Sequence, residues 1–188
     1  MLKKLEQQQQ NKAFDKEDAF ETLGIINTWI GNIDTKVSFS LALSGALIGV
    51  IFDKGMPRIF KRIAEVSNLQ VLSGGDLIGA LLVALLYLSS FISILCFMLS
   101  IIARVNNPSN APSVFFFGSI GNMTLANYKR SVKDMKEQDI LDDLEEQIHT
   151  NSILCSLKAK WYNRGMKYLL AAVALWFICI LFVPLYCF

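Results

Sequence analysis

Charged residues are scarce in this sequence, and the shortage is concentrated in long stretches. Asp, Glu, Lys and Arg make up 18% of the 188 residues, against about 25% in soluble domains. No charge interrupts residues 77–103 or residues 168–188, which are 27 and 21 residues long. Both runs exceed the roughly 18 residues that mark a membrane-spanning helix. These runs exclude an ordinary soluble domain and predict an integral membrane protein.

Residue types that serve catalysis and metal binding are also few. The sequence has one histidine, His149, and four cysteines without a CxxC pair. It contains no P-loop, GxSxG, HExxH or Rossmann fingerprint. A lone histidine in a helix is more often structural than catalytic. The acidic run DDLEE lacks the second cluster that a metal site needs. We therefore expect no enzymatic activity, no catalytic residue, no metal site, no cofactor and no disulfide framework.

Neither long run contains Asp, Glu, Lys, Arg or His. Ionisable side chains within membrane spans usually mark the ion or proton pathways of pumps and transporters. Their absence from these two runs speaks against a coupled transporter.

A third uncharged run, residues 37–52, follows Asp34 and Lys36 and is only 16 residues long. This is slightly below the roughly 17–25 residues that a crossing needs. A helix that starts near residue 35, with Lys36 extended to the headgroups, suffices where the bilayer is locally thin. A re-entrant or interfacial helix is the alternative. We predict that this run spans the membrane.

The predicted fold is all-α, with three transmembrane helices and a cytoplasmic helical region. Fourteen Lys and Arg residues lie before residue 37 or between residues 104 and 167, whereas the 53–76 connection has four. The positive-inside rule therefore places the N-terminus in the cytoplasm. The predicted segments are an N-terminal cytoplasmic amphipathic helix (1–36), the first span (37–52), a short outer loop (53–76), the second span (77–103), a cytoplasmic Phe-Gly loop and long helix (104–167), and the third span (168–188).

Small residues in the first span recur at four-residue spacing, with Ser40 and Ser44 in one row and Gly45 and Gly49 in another. Small residues allow close approach of helix backbones in lipid, and serines add interhelical hydrogen bonds. Two interpretations remain open on residue types alone. The row packs against the protein's own spans, or it mediates self-association around a wet or closable centre. Asp34, at the entrance, is predicted to cap the helix or contact a neighbouring subunit.

The cytoplasmic connection contains three consecutive phenylalanines, residues 115–117, followed by Gly118. Thr124 is a predicted N-cap for a helix that breaks near Gln138–Asp139. Exposed aromatics are costly, so the residues alone favour an aromatic plug packed on neighbouring helices. The alternative is a ligand site, because aromatic faces stack bases while helix N-termini and basic side chains attract phosphate. The basic side chains in question are Lys129, Arg130 and Lys133.

The chain resembles the bacterial antiphage membrane effectors of the Pycsar transmembrane type in three segments, which are DTKVSFSLALSGALIGVIF, PSVFFFGSIGNMTLANYKRSV and DLEEQIHTNSILCSLKAKWYNRGMKYLLAAVALWF. In that family an Asp-x-Lys enters a span of small residues, and a Phe-Gly loop precedes a helix with a tyrosine. A D-L-x-x-Q-I helix followed by a lysine then enters the last span. Val37 departs from the alanine usual in the family, and the Gln-rich lead is unfamiliar.

The resemblance implies a multi-pass protein of the bacterial inner membrane that forms homo-oligomers among membrane lipids and breaches the membrane of an infected cell. Its regulator would be a nucleotide or oligonucleotide made by a partner enzyme. Pycsar arrangements use a cyclic pyrimidine mononucleotide from a cyclase, and Hailong-type arrangements use a short DNA made by a nucleotidyltransferase. The implied nucleotide-binding residues are Phe117, Gly118, Tyr128, Lys129, Arg130 and Lys133. The implied oligomerisation and pore residues are Asp34, Ser40, Ser44, Gly45 and Gly49.

A function of another class also fits the sequence. A non-enzymatic membrane anchor that scaffolds a cytoplasmic partner through the 125–160 helix needs the same three spans. Leakage of dye from liposomes distinguishes the two, because a scaffold leaves the dye trapped in every nucleotide condition.

Overall fold

The computed structural model describes residues 14–52, 74–103 and 113–182, and every regular element in these residues is an α-helix. Three helices are long and apolar enough to cross a membrane. The predicted all-α membrane fold with three transmembrane helices is therefore confirmed. In chain order the helices are α1 (Lys16–Phe52), α2 (Gly74–Ile102), α3 (Phe117–Gly121), α4 (Leu125–Asp134) and α5 (Glu137–Phe182).

The predicted segment boundaries at residues 36/37 and 167/168 fall inside continuous helices, α1 and α5. The helix geometry therefore does not test where the lipid begins, and those boundaries stay predictions. The Gln-rich lead and nearly all of the predicted outer loop lie outside the described residues.

The start of α1 is set by two aspartates. The Asp15 carboxylate accepts hydrogen bonds from the backbone N–H groups of Glu17 (2.8 Å) and Asp18 (3.0 Å), while Asp18 accepts one from the N–H of Asp15 (3.1 Å). This reciprocal capping box satisfies N–H groups that have no partner within the helix. No proline follows before residue 57, so one helix carries the polar residues before Asp34 directly into the apolar run.

The predicted N-cap at Thr124 is confirmed, because its hydroxyl accepts a hydrogen bond from the Asn127 N–H at 3.2 Å. The predicted break near Gln138–Asp139 was placed too late. It lies at residues 135–136, between α4 and α5. The Asp139 carboxylate accepts the Lys136 N–H at 2.9 Å, which makes Asp139 part of the cap of α5.

The described chain divides into two units, and the first comprises Met1–Asn32 and Arg104–Ser156. Its core is formed by Ala19 on α1 and by Leu141 and Leu144 on α5, with Phe115 packed against them. Burial of these apolar side chains is the main force that holds α1 to α5 in this unit. Two polar contacts join the same pair of helices. Lys16 Nζ lies 3.5 Å from Glu137 Oε1, and Asn151 Nδ2 donates a hydrogen bond to Asn27 Oδ1 at 3.0 Å.

The second unit comprises Ile33–Ala103 and Leu157–Phe188 and contains the apolar parts of α1, α2 and α5. Ile51, Leu86 and Ala172, one residue from each helix, form a buried cluster. Two serines of α2 bond the backbone of α5. Ser93 donates to the Gly165 carbonyl at 3.0 Å, and Ser100 donates to the Lys158 carbonyl at 2.9 Å. Such bonds contribute roughly 0.6 kcal/mol each in membrane proteins.

The outer surface of α2 is apolar, as a lipid-facing surface must be. Large hydrophobic side chains are exposed along most of the helix, whereas the serines face inward. In water this surface would be an aggregation hazard, whereas in a bilayer it is solvated by acyl chains. The exposed side chains include Leu77, Ile78, Leu81, Leu85, Leu88, Phe91, Leu95, Met98, Ile101 and Ile102.

Candidate functional site

The Phe-Gly segment is attached to α5 through a carboxylate. Asp143 accepts a hydrogen bond from the Val114 N–H at 3.0 Å. The Ser113 hydroxyl accepts the N–H groups of Phe115 (3.0 Å) and Phe116 (2.9 Å). A serine side chain that satisfies the next backbone groups in this way stabilises a turn. The three phenylalanines therefore project from a turn with a defined backbone.

The three phenylalanines have different environments. Phe115 packs in the core of the first unit and meets Phe20 edge-to-face, with 5.5 Å between ring centroids. Phe116 is half-buried and lies 4.9 Å from the Phe117 ring. Phe117 is 82% exposed. The interpretation as an aromatic plug thus describes Phe115, whereas Phe117 presents a free face on which a base can stack.

Gly118 is required by the ring before it. A Cβ atom at this position would lie 2.6 Å from Cε1 of Phe116, well inside van der Waals contact. Glycine therefore allows the Phe116 ring to fold over the start of α3.

The basic residues of the predicted nucleotide site lie on α4. Lys129, Arg130 and Lys133 are exposed, and Tyr128 is half-buried. Within the described part of the chain, none of the three cations forms an ion pair. The structure shows no hydrogen bond between these α4 residues and Phe117 or Gly118 in that part. Whether these residues bind a nucleotide stays a prediction.

Three buried polar side-chain atoms on α5 were not identified from the sequence. Glu146 Oε1, Gln147 Nε2 and Thr150 Oγ1 are buried and have no hydrogen-bond partner among the described residues. Only 5% of Gln147 and 9% of Thr150 is exposed. Each unsatisfied buried group costs about 1–3 kcal/mol. The spacing of residues 146, 147 and 150, which puts them on one face of a helix, is visible in the sequence. Glu146 was considered only as part of the acidic run DDLEE and not together with the other two residues.

Asp34 has a partner within its own chain. Its carboxylate Oδ1 lies 2.6 Å from Nζ of Lys158 on α5, and the exposed side-chain fractions are 44% and 7%. This charge-assisted hydrogen bond ties α1 to α5 within the second unit. The pairing of Asp34 with Lys158 was not identified from the sequence, because nothing in the pattern pairs two residues that are 124 positions apart.

The small residues of the first span fall on two different surfaces. Ser40 and Ser44 are buried; Ser40 donates to the Met166 sulfur at 3.5 Å and Ser44 donates to the Ser40 carbonyl at 2.8 Å. Gly45 and Gly49 are exposed, and a Cβ atom on either would meet no other atom within 4 Å. The serine row thus packs within the protomer, while the glycine row is open on its outside.

Gly165 is a third glycine with a clear structural role. A Cβ atom there would lie 2.6 Å from Cε1 of Phe97, a fully buried ring. Close approach of α2 and α5 in the second unit therefore depends on this glycine. No pattern in the sequence indicated this role.

Comparison with known proteins identifies the family of this chain. A family model described as the Pycsar effector protein domain (PycTM) matches residues 18–185. The chain is 32% identical over 176 residues to the Pycsar effector protein GmPycTM of Gulbenkiania mobilis, across 87% of this chain and 90% of that protein. No protein of solved structure matches significantly. The resemblance found in the three sequence segments is thereby confirmed, and this chain belongs to the Pycsar transmembrane effector family, whose role is that of an antiphage effector.

Proposed function

We propose that this protein self-associates in the inner membrane of an infected bacterium and permeabilises it under the control of a nucleotide. Membership of the Pycsar effector family supports the antiphage role. A cyclic nucleotide from a partner cyclase is the regulator that the family suggests, with an oligonucleotide from a nucleotidyltransferase as the alternative. The distribution of Lys and Arg supports a cytoplasmic N-terminus.

The open glycine row of α1 carries the proposal of self-association. A Cβ atom at Gly45 or Gly49 would meet nothing within 4 Å in the part of the protomer that the structure describes, and Ala42 and Ala46 beside them are also exposed. Lipid chains solvate leucine better than a groove of small residues, and no contact among the described residues requires small side chains here. A second copy that lies in this groove would gain close backbone packing, which is the main attraction between helices in lipid.

The other predicted residues of the first span, Ser40, Ser44 and Asp34, are bonded within the protomer. Ser40 and Asp34 hold α1 against α5 in the described state, through Met166 and Lys158. Ser44 is buried and bonds the Ser40 carbonyl within α1. In the proposal they line or seal the centre only after α1 separates from α5. A nucleotide drives this change only if its binding energy differs between the closed and open states.

The proposed ligand site in the first unit has two parts. The exposed Phe117 ring offers a stacking face beside Gly118, and base stacking contributes roughly 1–3 kcal/mol. The second part lies on α4. Tyr128 offers the edge of its ring, and three exposed cations offer charge for the phosphate; they are Lys129, Arg130 and Lys133.

Membrane lipids are proposed partners of the last helix. Lys160, Arg164 and Lys167 are exposed along one side of α5, and the Arg164 guanidinium lies 5.0 Å from the centre of the Trp161 ring. No acidic residue occurs after Glu146. Lys and Arg side chains next to a membrane span are long and flexible enough to reach the headgroup phosphates of anionic lipids.

Dye release from liposomes tests the proposed permeabilisation. We expect the purified wild-type protein to release an entrapped dye at a rate that depends on nucleotide. Replacing both Gly45 and Gly49 by leucine should reduce release to background and shift the protein to monomers in detergent, because the groove is filled. The protomer should keep its melting temperature, since both positions are open.

The matched control is Ala84→Leu, which adds a similar side chain at an exposed position of α2. It should leave dye release unchanged. Release by the glycine variants at the wild-type rate would refute the role of the groove. Dye that stays trapped with the wild-type protein in every nucleotide condition would favour the scaffold function.

A second prediction concerns the cations of α4. Replacing Lys129 and Arg130 by alanine should weaken nucleotide binding about tenfold or more, because each charge-assisted bond to phosphate contributes roughly 1.5–3 kcal/mol. Membrane insertion should be unaffected. Titration calorimetry measures the affinity, and Lys136→Ala, which removes an exposed cation just outside α4, is the control. Equal affinities for all three proteins would place the phosphate elsewhere.

A further inference from the structure

We propose that Glu146, Gln147 and Thr150 recognise the base of the regulatory nucleotide by its hydrogen-bonding edge, and that they select cytosine. This inference rests on the proposed nucleotide control and adds to it the residues that read the ligand. The stacking face of Phe117 and the cations of α4 accept any nucleotide, whereas a set of buried donors and acceptors distinguishes one base from another.

The first argument is the concentration of unsatisfied groups on one helical turn. Buried polar groups in proteins nearly always have a hydrogen-bond partner. Polar groups around the trio follow this rule, since Asp143 accepts from Val114, Asn151 donates to Asn27, and Ser152 donates to the Ile148 carbonyl.

The atoms Glu146 Oε1, Gln147 Nε2 and Thr150 Oγ1 break the rule together. In the proposal, the ligand supplies the partners that these three neighbouring groups lack among residues 14–52, 74–103 and 113–182.

The second argument is the position of the trio beside the aromatic turn. Asp143 lies one helical turn before Gln147 on the same face of α5, and it holds the Val114 N–H at 3.0 Å. The turn that carries the phenylalanines is therefore attached next to the trio, within the first unit. Recognition of a base requires both a stacking surface and an edge of donors and acceptors. Here the segment that carries the first is bonded to α5 one helical turn before the second.

Helix geometry sets the order of the three groups. Successive residues are rotated by about 100°, so residue 150 lies between residues 146 and 147 and one turn further along the axis. The sequence of groups across the face is a carboxylate acceptor, a hydroxyl that donates or accepts, and an amide donor.

This order matches the edge of cytosine. The exocyclic amino group would donate to Glu146, the ring nitrogen N3 would accept from the Thr150 hydroxyl, and O2 would accept from the Gln147 amide. A carboxylate that accepts from cytosine N4 is a recognised pairing. Uracil has a carbonyl where cytosine has its amino group, so its O4 would face the Glu146 carboxylate and be repelled.

The experiment measures binding of cyclic CMP and cyclic UMP to the full-length protein in detergent by titration calorimetry, with thermal melting of each variant. We expect the wild-type protein to bind cyclic CMP at least about tenfold more tightly than cyclic UMP. The double variant Gln147→Leu, Thr150→Val should lose about tenfold or more in affinity for cyclic CMP. Without ligand its melting temperature should stay equal or rise, because unsatisfied buried groups have been removed.

Glu146→Gln is the second variant and is close in shape to the wild type. Its amide can donate to O4 of uracil, so the preference for cyclic CMP should shrink or reverse, a change that a purely structural role for Glu146 would not produce. Ser152→Ala, which removes a partnered hydroxyl two residues beyond Thr150, is the control and should bind like the wild type.

The possible failures are distinguishable. Wild-type affinity in both trio variants would overturn this inference and leave nucleotide control intact. A wild-type preference for cyclic UMP would overturn the assigned order of groups. If the wild-type protein binds neither nucleotide, the inference fails together with cyclic pyrimidine control, while dye release still tests permeabilisation.

Discussion

Replacing Asp34 by alanine is expected to destabilise the second unit by about 3 kcal/mol, because it leaves the buried Lys158 ammonium without its counter-charge. Only 7% of the Lys158 side chain is exposed, and its Nζ lies 2.6 Å from Asp34 Oδ1. A buried charge whose partner is removed typically costs roughly 3–5 kcal/mol. The lower end applies here because the carboxylate is 44% exposed. Thermal melting in detergent measures the loss.

The reverse substitution should cost much less. Lys158→Met fills a similar volume without a charge and leaves Asp34, which is partly hydrated, to be solvated by water. We expect a loss of about 1 kcal/mol or less. Exchanging the two residues, Asp34→Lys with Lys158→Asp, should recover part of the stability. Equal losses for Asp34→Ala and Lys158→Met would show that the pair is not buried as the structure has it.

Replacing Gly165 by leucine should disrupt the packing of α2 on α5. The first added atom already lies 2.6 Å from the Phe97 ring, and that ring is fully buried. Overpacking of this kind costs roughly 1–3 kcal/mol, and sometimes more. Any shift of α5 away from α2 also stretches the 3.0 Å bond from Ser93 to the Gly165 carbonyl. We expect a loss near or above the upper end of that range, measured by thermal melting.

Gly45→Leu is the matched control for this substitution. It makes the same change in a second transmembrane helix, at a position where no atom lies within 4 Å of the new Cβ. The melting temperature of the protomer should be unchanged, whereas self-association should be lost. A similar drop in melting temperature for both variants would contradict the distinction between a glycine needed inside the protomer and one open outside it.

Local chemistry made several parts of the fold predictable. The second and third spans follow from the lengths of their uncharged runs, and the cap at Thr124 follows from a hydroxyl placed before a helix. The break between α4 and α5 was misplaced by about three residues, because the position of the cap depends on which of several acidic residues turns back to an N–H group. Asp139 does so for Lys136.

The two rows of small residues show the limit of pattern analysis. Ser44 and Gly45 are neighbours in sequence, so their side chains point about 100° apart around the helix. One row therefore faces the protomer while the other faces outward. Small-residue spacing indicates that a helix packs closely against something, but it does not tell which partner each row meets.

The sequence by itself determined that this chain is an all-helical membrane protein of the Pycsar effector type, since hydrophobic length, charge distribution and short motifs are properties of contiguous residues. Only the tertiary structure decided that Asp34 pairs with Lys158, that Gly165 receives Phe97, and that three polar groups of α5 are buried without partners. These are relations between residues brought together by helix packing. Periodicity specifies the face of a helix, and the partner of that face is decided by which side chains fit against it.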